Sequence, residues 1–177
     1  MNQEHLTTHL NPSQAAEPAA IPNLIARLGS ADLRDRRRAG NDLIAAGPLA
    51  VSALTEALED RSPAVRSEAA RALGRIRDAA VAAALVKRLE DESREVRWTA
   101  AEGLVALGKD GLIALLRAMM QERESVRRRE AAHHVLRALA KGDLEDIVRP
   151  VLAAIDGVEP ALTVPLAAHA ALHQLEA

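Results

Sequence analysis

Six histidines carry most of the reactive potential of this 177-residue chain, and they come as three pairs: His5 with His9, His133 with His134, and His169 with His173. A spacing of four sets two imidazoles on one helix face, where a joining carboxylate would complete a metal site. No carboxylate is assigned to either spaced pair. His5 and His9 fall in a polar N-terminal stretch, and His169 and His173 in an Ala-rich helix where a surface or interface role is expected. Adjacent His133 and His134 must leave a helix in different directions, and His134 is expected to hydrogen-bond Glu130 one turn before it. With no cysteine there is no thiolate nucleophile, disulfide or thiolate metal site. No Gly-rich phosphate loop is present, and the serines sit mostly in turns, where capping accounts for them.

Two arginine clusters, Arg34 with Arg36 to Arg38 and Arg127 to Arg129, have the chemistry to meet phosphate or an acidic protein. Asp32, Asp35, Glu122, Glu124 and Glu130 lie among them, which favours a solvated, internally paired face. A net charge of −2 also lacks the basic excess of a nucleic-acid binder. Trp98 stands alone, with no Phe or Tyr in the chain. Such a ring is either an anchor for a partner or packing across a boundary between elements.

The elements that must position these residues repeat. Leu28, Leu58 and Leu89 each close an apolar run and are each followed by a polar turn and then a Leu-Arg or Val-Arg step. AVRSEAARALGRI from Ala64 and EVRWTAAEGLVAL from Glu95 are variants of one unit. A core of Leu, Ala, Val and Ile predicts an all-α chain with close helix packing, because Ala is small and the best helix former. Gly and Pro punctuation predicts five helix pairs. The first helices span 22–29, 48–59, 78–90, 109–121 and 144–156, and the second helices 31–46, 63–76, 93–107, 123–141 and 162–176. Ser62 and Pro63 read as N-cap and first-turn residue, Pro150 as a bend, and Pro165 as a helix beginning. Residues 1–20, polar and carrying Pro12 and Pro18, read as a flexible tail before a repeat domain over 21–177. They lack a secretory signal, and no apolar run is long enough for a membrane span, so a cytoplasmic location is expected.

An apolar helix, an acidic turn, Val-Arg, a pair of alanines and then Ala-Leu-Gly resembles HEAT repeats, and specifically the PBS-lyase HEAT-like type, best over residues 31–140. The resemblance implies an α-solenoid of about five pairs in a right-handed superhelix. It implies that Arg66 and Arg97 pair with turn acids such as Asp60 and Asp91 in a ladder between repeats. Arg34 and Arg127 take the same slot in repeats one and four, with two extra residues before Ala39 and Ala132, and Ser30 and Gln121 stand where their acids should be. The resemblance further implies a concave wall of second helices presenting Glu68, Arg71, Arg75, Trp98, Thr99, Glu102, Glu130 and His134.

Relatives of this type include scaffolds, bilin lyases, a metal-dependent hydroxylase and alkylpurine glycosylase relatives, and fold does not choose among them. The hydroxylases carry repeated His-Glu dipeptides; this chain has none. The expected function is a non-enzymatic adaptor that binds a protein or peptide on the concave wall without cofactor or metal, as a monomer or weak homo-oligomer. A bilin-lyase-like enzyme and a weak nucleic-acid binder are the alternatives. Trp98→Ala and Arg71→Glu are both expected to abolish capture with little change in melting temperature.

Overall fold

The computed structural model describes residues 18–121 and 126–176. Within them are ten α-helices and no strand: α1 (Ile21–Arg27), α2 (Leu33–Ala46), α3 (Val51–Ala57), α4 (Pro63–Ile76), α5 (Ala82–Arg88), α6 (Arg94–Leu107), α7 (Lys109–Met119), α8 (Val126–Leu139), α9 (Glu145–Ile155) and α10 (Pro160–Glu176). The expected tail lies outside the described residues as far as residue 17, and Pro18–Ala20 form one 3-10 turn leading into α1.

Three second helices start where the backbone turns extended. Asp32, Ser62 and Ser93 have ψ of 118°, 119° and 123° before α2, α4 and α6. Asp32 caps α2 by accepting from the Arg34 amide at 2.8 Å. Ser62 occupies the expected N-cap position but makes no side-chain cap. Asp60 instead accepts the Ser62 amide at 2.7 Å, and Asp91 accepts that of Ser93 at 2.9 Å. Gly47 and Gly108, at φ 58° and 60°, end α2 and α6 in a conformation that costs glycine nothing. α4 ends on Arg77 at φ 60°, the sole non-glycine with positive φ among the described residues.

The leucines that mark the repeat are the core. Leu28, Leu58 and Leu89 end the first helices fully buried, and Leu43, Leu73, Leu104 and Leu136 fill the second helices at the same depth. Second helices pack side by side in the order α2, α4, α6, α8, each also against its own first helix. The arrangement is an α-solenoid. α4 and α6 meet most closely: a Cβ added at Gly74 would lie 2.6 Å from the Gly103 Cα.

The fifth pair departs from the pattern. α9 packs on α8, a second helix, instead of on the first helix α7, and α10 packs on α7, a first helix, instead of on α8. The last two helices have therefore exchanged layers. Pro165 also differs from expectation, because α10 begins at Pro160 and holds Pro165 in its interior. Pro160 takes the first-turn position where a missing N–H costs no helical bond. Pro150 lies inside α9 as expected.

Candidate functional site

One interaction recurs at the start of three second helices and sets the true register of the wall. Arg66 Nη1 donates to the carbonyls of Asp60 and Arg61 at 2.9 and 3.1 Å. Arg97 Nη1 does the same to Asp91 and Glu92 at 2.8 and 3.1 Å. In repeat one this role belongs to Arg36, bonded to Ser30 and Ala31 at 2.6 and 3.2 Å, and not to Arg34. With Arg36 in the slot, Ala39 falls three residues on, as Ala69 and Ala100 do, and the two extra residues disappear. The same spacing puts Arg129, not Arg127, before Ala132 in repeat four.

Among the described residues the ladder has one full rung. Arg66 Nε and Nη2 each donate to Asp91 at 2.8 Å, a bidentate pair between repeats two and three with side chains 7% and 3% exposed. Asp60 contributes its backbone carbonyl instead of its carboxylate. Burial pushes the Asp91 pKa upward, but the Arg66 and Ser93 hydrogen bonds, with the charges of Arg66 and Arg88, hold it below the ordinary carboxylate value. This cluster stitches repeats together.

The corrected register lines up columns across the wall. One turn past the arginine slot stand Asn41, Arg71, Glu102 and His134, and just after the slot stand Arg37, Ser67, Trp98 and Glu130. Arg37 and Asn41 were hidden by the Arg34 alignment; the signal that finds them is Ala39-Gly40, which matches Ala69-Ala70.

Of the eight residues expected on this wall, Arg71, Arg75, Trp98, Glu102 and Glu130 are exposed, and His134 and Thr99 are half-buried. Glu68 is the exception. It is 7% exposed and is ion-paired with Arg71. The reason is Gly40: without a side chain there, α2 leaves room for a carboxylate, and Glu68 Oε2 lies 3.5 Å from where a Cβ would sit. Arg71 therefore neutralises a buried charge, and its replacement by Glu is not the neutral change expected from sequence. Thr99 also turns inward, donating to Glu95 and Val96 carbonyls and touching Ser67 Oγ at 3.4 Å.

Trp98, Glu102 and His134 come together. The Trp98 and His134 rings lie 4.5 Å apart at 41°, and His134 Nε2 is 2.8 Å from Glu102 Oε1. Glu130, the expected partner of His134, is not in this contact. One face of Trp98 packs across the α6/α8 boundary, while 55% of the residue stays exposed, beside an open depression of about 550 Å³ shared with Arg94 and Glu95. His133 points the other way, 3.5 Å from Asp156.

His169 and His173 are exposed on α10. Glu176 follows His173 by one turn, a carboxylate passed over in the sequence, but it bonds Arg117 at 2.8 Å. Among the described residues no three His, Asp or Glu side chains gather in a metal-holding group. His5 and His9 lie outside those residues, as do Glu122 and Glu124. Arg128 pairs with Glu90 in the second arginine cluster, whereas Asp35, beside the first, is bonded by Arg27 from outside that cluster.

Comparison with known proteins agrees with this geometry. The family model for HEAT repeats matches residues 51–137. A solved complex of CpcE and CpcF of phycocyanin lyase from Nostoc sp. PCC7120 is similar over 99% of this chain and 68% of that one, at 28% identity and a TM-score of 0.50. A designed armadillo repeat protein covers 93% of this chain and 85% of its own at 22% identity and TM-score 0.47, and an engineered protein 93% and 87% at 21% and 0.45. No curated protein matches the chain.

Proposed function

Residues 51–137 are HEAT repeats, and from that premise we propose that the chain is a non-enzymatic adaptor, with a repeat domain over 21–177 behind a tail, that binds a protein or peptide on the concave face formed by its second helices. Trp98 carries the reading. A ring left half open where the rest of the core is aliphatic has no structural need to be exposed, and buried aromatic anchors supply much of the affinity at protein interfaces. His134 and Glu102 hold it in place from one side, which lowers the entropy lost when a partner packs on the other. No helix among the described residues is long and apolar enough to cross a membrane.

The test is co-purification from the native host, with quantitative mass spectrometry, of the wild type, Trp98→Ala and a distal control, Leu49→Ala. A set of proteins lost by Trp98→Ala alone, with circular dichroism unchanged, supports the site. Equal capture by all three removes it.

A second reading rests on the likeness to the phycocyanin lyase complex: the chain assists attachment of a bilin to a protein. Purified protein mixed with a bilin should then shift its visible spectrum. An unaltered spectrum eliminates this reading and leaves the adaptor.

A further inference from the structure

The wall changes sign along its length. At its N-terminal end Arg37 and Asn41 from α2 face Arg71 and Arg75 from α4 across a narrow cleft of about 40 Å³, floored by Gly40 and Glu68. Glu68 is committed to Arg71. Arg37 and Arg75 are exposed and enter no ion pair or hydrogen bond with the described residues. The cleft therefore holds three guanidinium groups against one carboxylate. Farther along, α6 and α8 present Trp98, Glu102 and Glu130. A basic mouth is followed by an aromatic step and then by acids.

Resting on the adaptor reading, we infer that the partner segment is acidic at one end: two or three neighbouring Asp or Glu residues lie across the mouth of the cleft against Arg37, Arg71 and Arg75, and an apolar side chain farther along the same segment packs on Trp98. Carboxylates accept paired donors from a guanidinium fork, and Arg is the cation that gives up its hydration most readily at an interface. Helices packed about 8–10 Å apart put Trp98 roughly one and a half spacings from the cleft, a distance an extended chain covers in about four residues. A nucleic acid fits less well. Its phosphates repeat at constant spacing, so a strand long enough to gain from the arginines would run onto Glu102 and Glu130.

A random-peptide phage library panned on the full chain, followed by fluorescence anisotropy with the selected peptides, tests this. Expected is enrichment of adjacent acidic residues ahead of an apolar one. Binding should weaken by about tenfold or more in Arg37→Glu/Arg75→Glu, fall at roughly 0.5 M salt, and weaken in Trp98→Ala. Neither arginine has a partner among the described residues, so the double variant should keep its helicity, and circular dichroism checks this. Neutral or basic peptides that need Trp98 but ignore the arginines overturn the inference and leave the adaptor reading standing. Failure to enrich any peptide, or binding indifferent to both Trp98 and the arginines, overturns both. A single-stranded oligonucleotide that displaces the acidic peptide better than excess peptide does reassigns the cleft to phosphate and overturns the inference.

Discussion

The seam between α4 and α6 and the join between α7 and α10 are both helix-on-helix contacts in one array, yet they are built from different materials. At the first, Gly74 meets Gly103, the Arg66–Asp91 pair is out of solvent, and Ser67 and Thr99 fit between the helices. At the second, the described ion pair is Arg117 with Glu176, with side chains 64% and 47% exposed, and α10 leaves Leu162 and Leu166 in solvent. A regular seam can use buried charge and backbone contact because each partner is held by repeats on both sides. The α7–α10 join has no described buried ion pair and no glycine-on-glycine contact of this kind. The contrast teaches that the α4–α6 seam is held by buried charge and backbone contact, whereas the α7–α10 join rests on one apolar face and an exposed ion pair.

The largest break in that contrast should come from Asp91→Ala. It leaves the Arg66 guanidinium buried with turn carbonyls and the solvent-exposed Glu92 at 3.6 Å, and loss of one member of a buried pair costs about 3–5 kcal/mol. Urea denaturation at pH 7 measures it; a loss under about 1 kcal/mol would mean the seam does not need the pair. The pH dependence gives an independent reading. Because the folded Asp91 pKa is depressed, its contribution is complete above the unfolded value near about 3.9 and disappears as pH falls through the lower folded value. The wild type should therefore lose more stability than Asp91→Ala on acidification below about pH 4.

Gly74→Ala comes next, and two effects oppose. Alanine gains about 1 kcal/mol of helix propensity over glycine, but its Cβ would sit 2.6 Å from the Gly103 Cα, against backbone that cannot rotate away. Overpacking of this kind costs about 1–3 kcal/mol, so a net loss of roughly 1 kcal/mol is expected. A gain in melting temperature would show that the seam opens freely.

How far this was legible in sequence follows from the same contrast. Leu28, Leu58 and Leu89 recur because every repeat must bury the same helix end, so the period and the pairs are readable. The arginine slot in repeat one is not: Arg34, Arg36, Arg37 and Arg38 offer rival registers of one charge, and only the carbonyls of Ser30 and Ala31 choose between them. Glu68 reads as wall-facing in sequence because the resemblance to HEAT repeats puts its position on the concave side. What buries it is a glycine on a neighbouring helix, a tertiary fact. The layer exchange of α10 has no local signature, since the pattern of α10 shows which face is apolar but not which helix covers it.

On the wall, Arg71→Glu and Trp98→Ala should separate. Arg71→Glu puts a second carboxylate beside buried Glu68 and should cost about 1–3 kcal/mol. Trp98→Ala removes an exposed ring and one stacked contact, and should cost within about 1 kcal/mol. Thermal denaturation of both resolves the order, and equal melting temperatures would mean that Glu68 reaches water without Arg71.

The smallest effect belongs to the C-terminal end. Leu166→Ser should shift stability by no more than about 0.5 kcal/mol, because Leu166 is 73% exposed, and Arg117→Ala by at most about 1 kcal/mol, the range of an exposed pair. The leucine is the sharper probe. Leu166 is exposed only because α10 lies on α7 with Val164, Ala168, Ala171 and Leu175 turned inward. If α10 instead continued the second-helix layer and covered α8, a different face would be buried, and a leucine lost from it would cost about 2–5 kcal/mol. A large loss from Leu166→Ser, with Val164→Ser nearly silent, would therefore return α10 to the regular layer, whereas the reverse order is what an end that has exchanged layers requires.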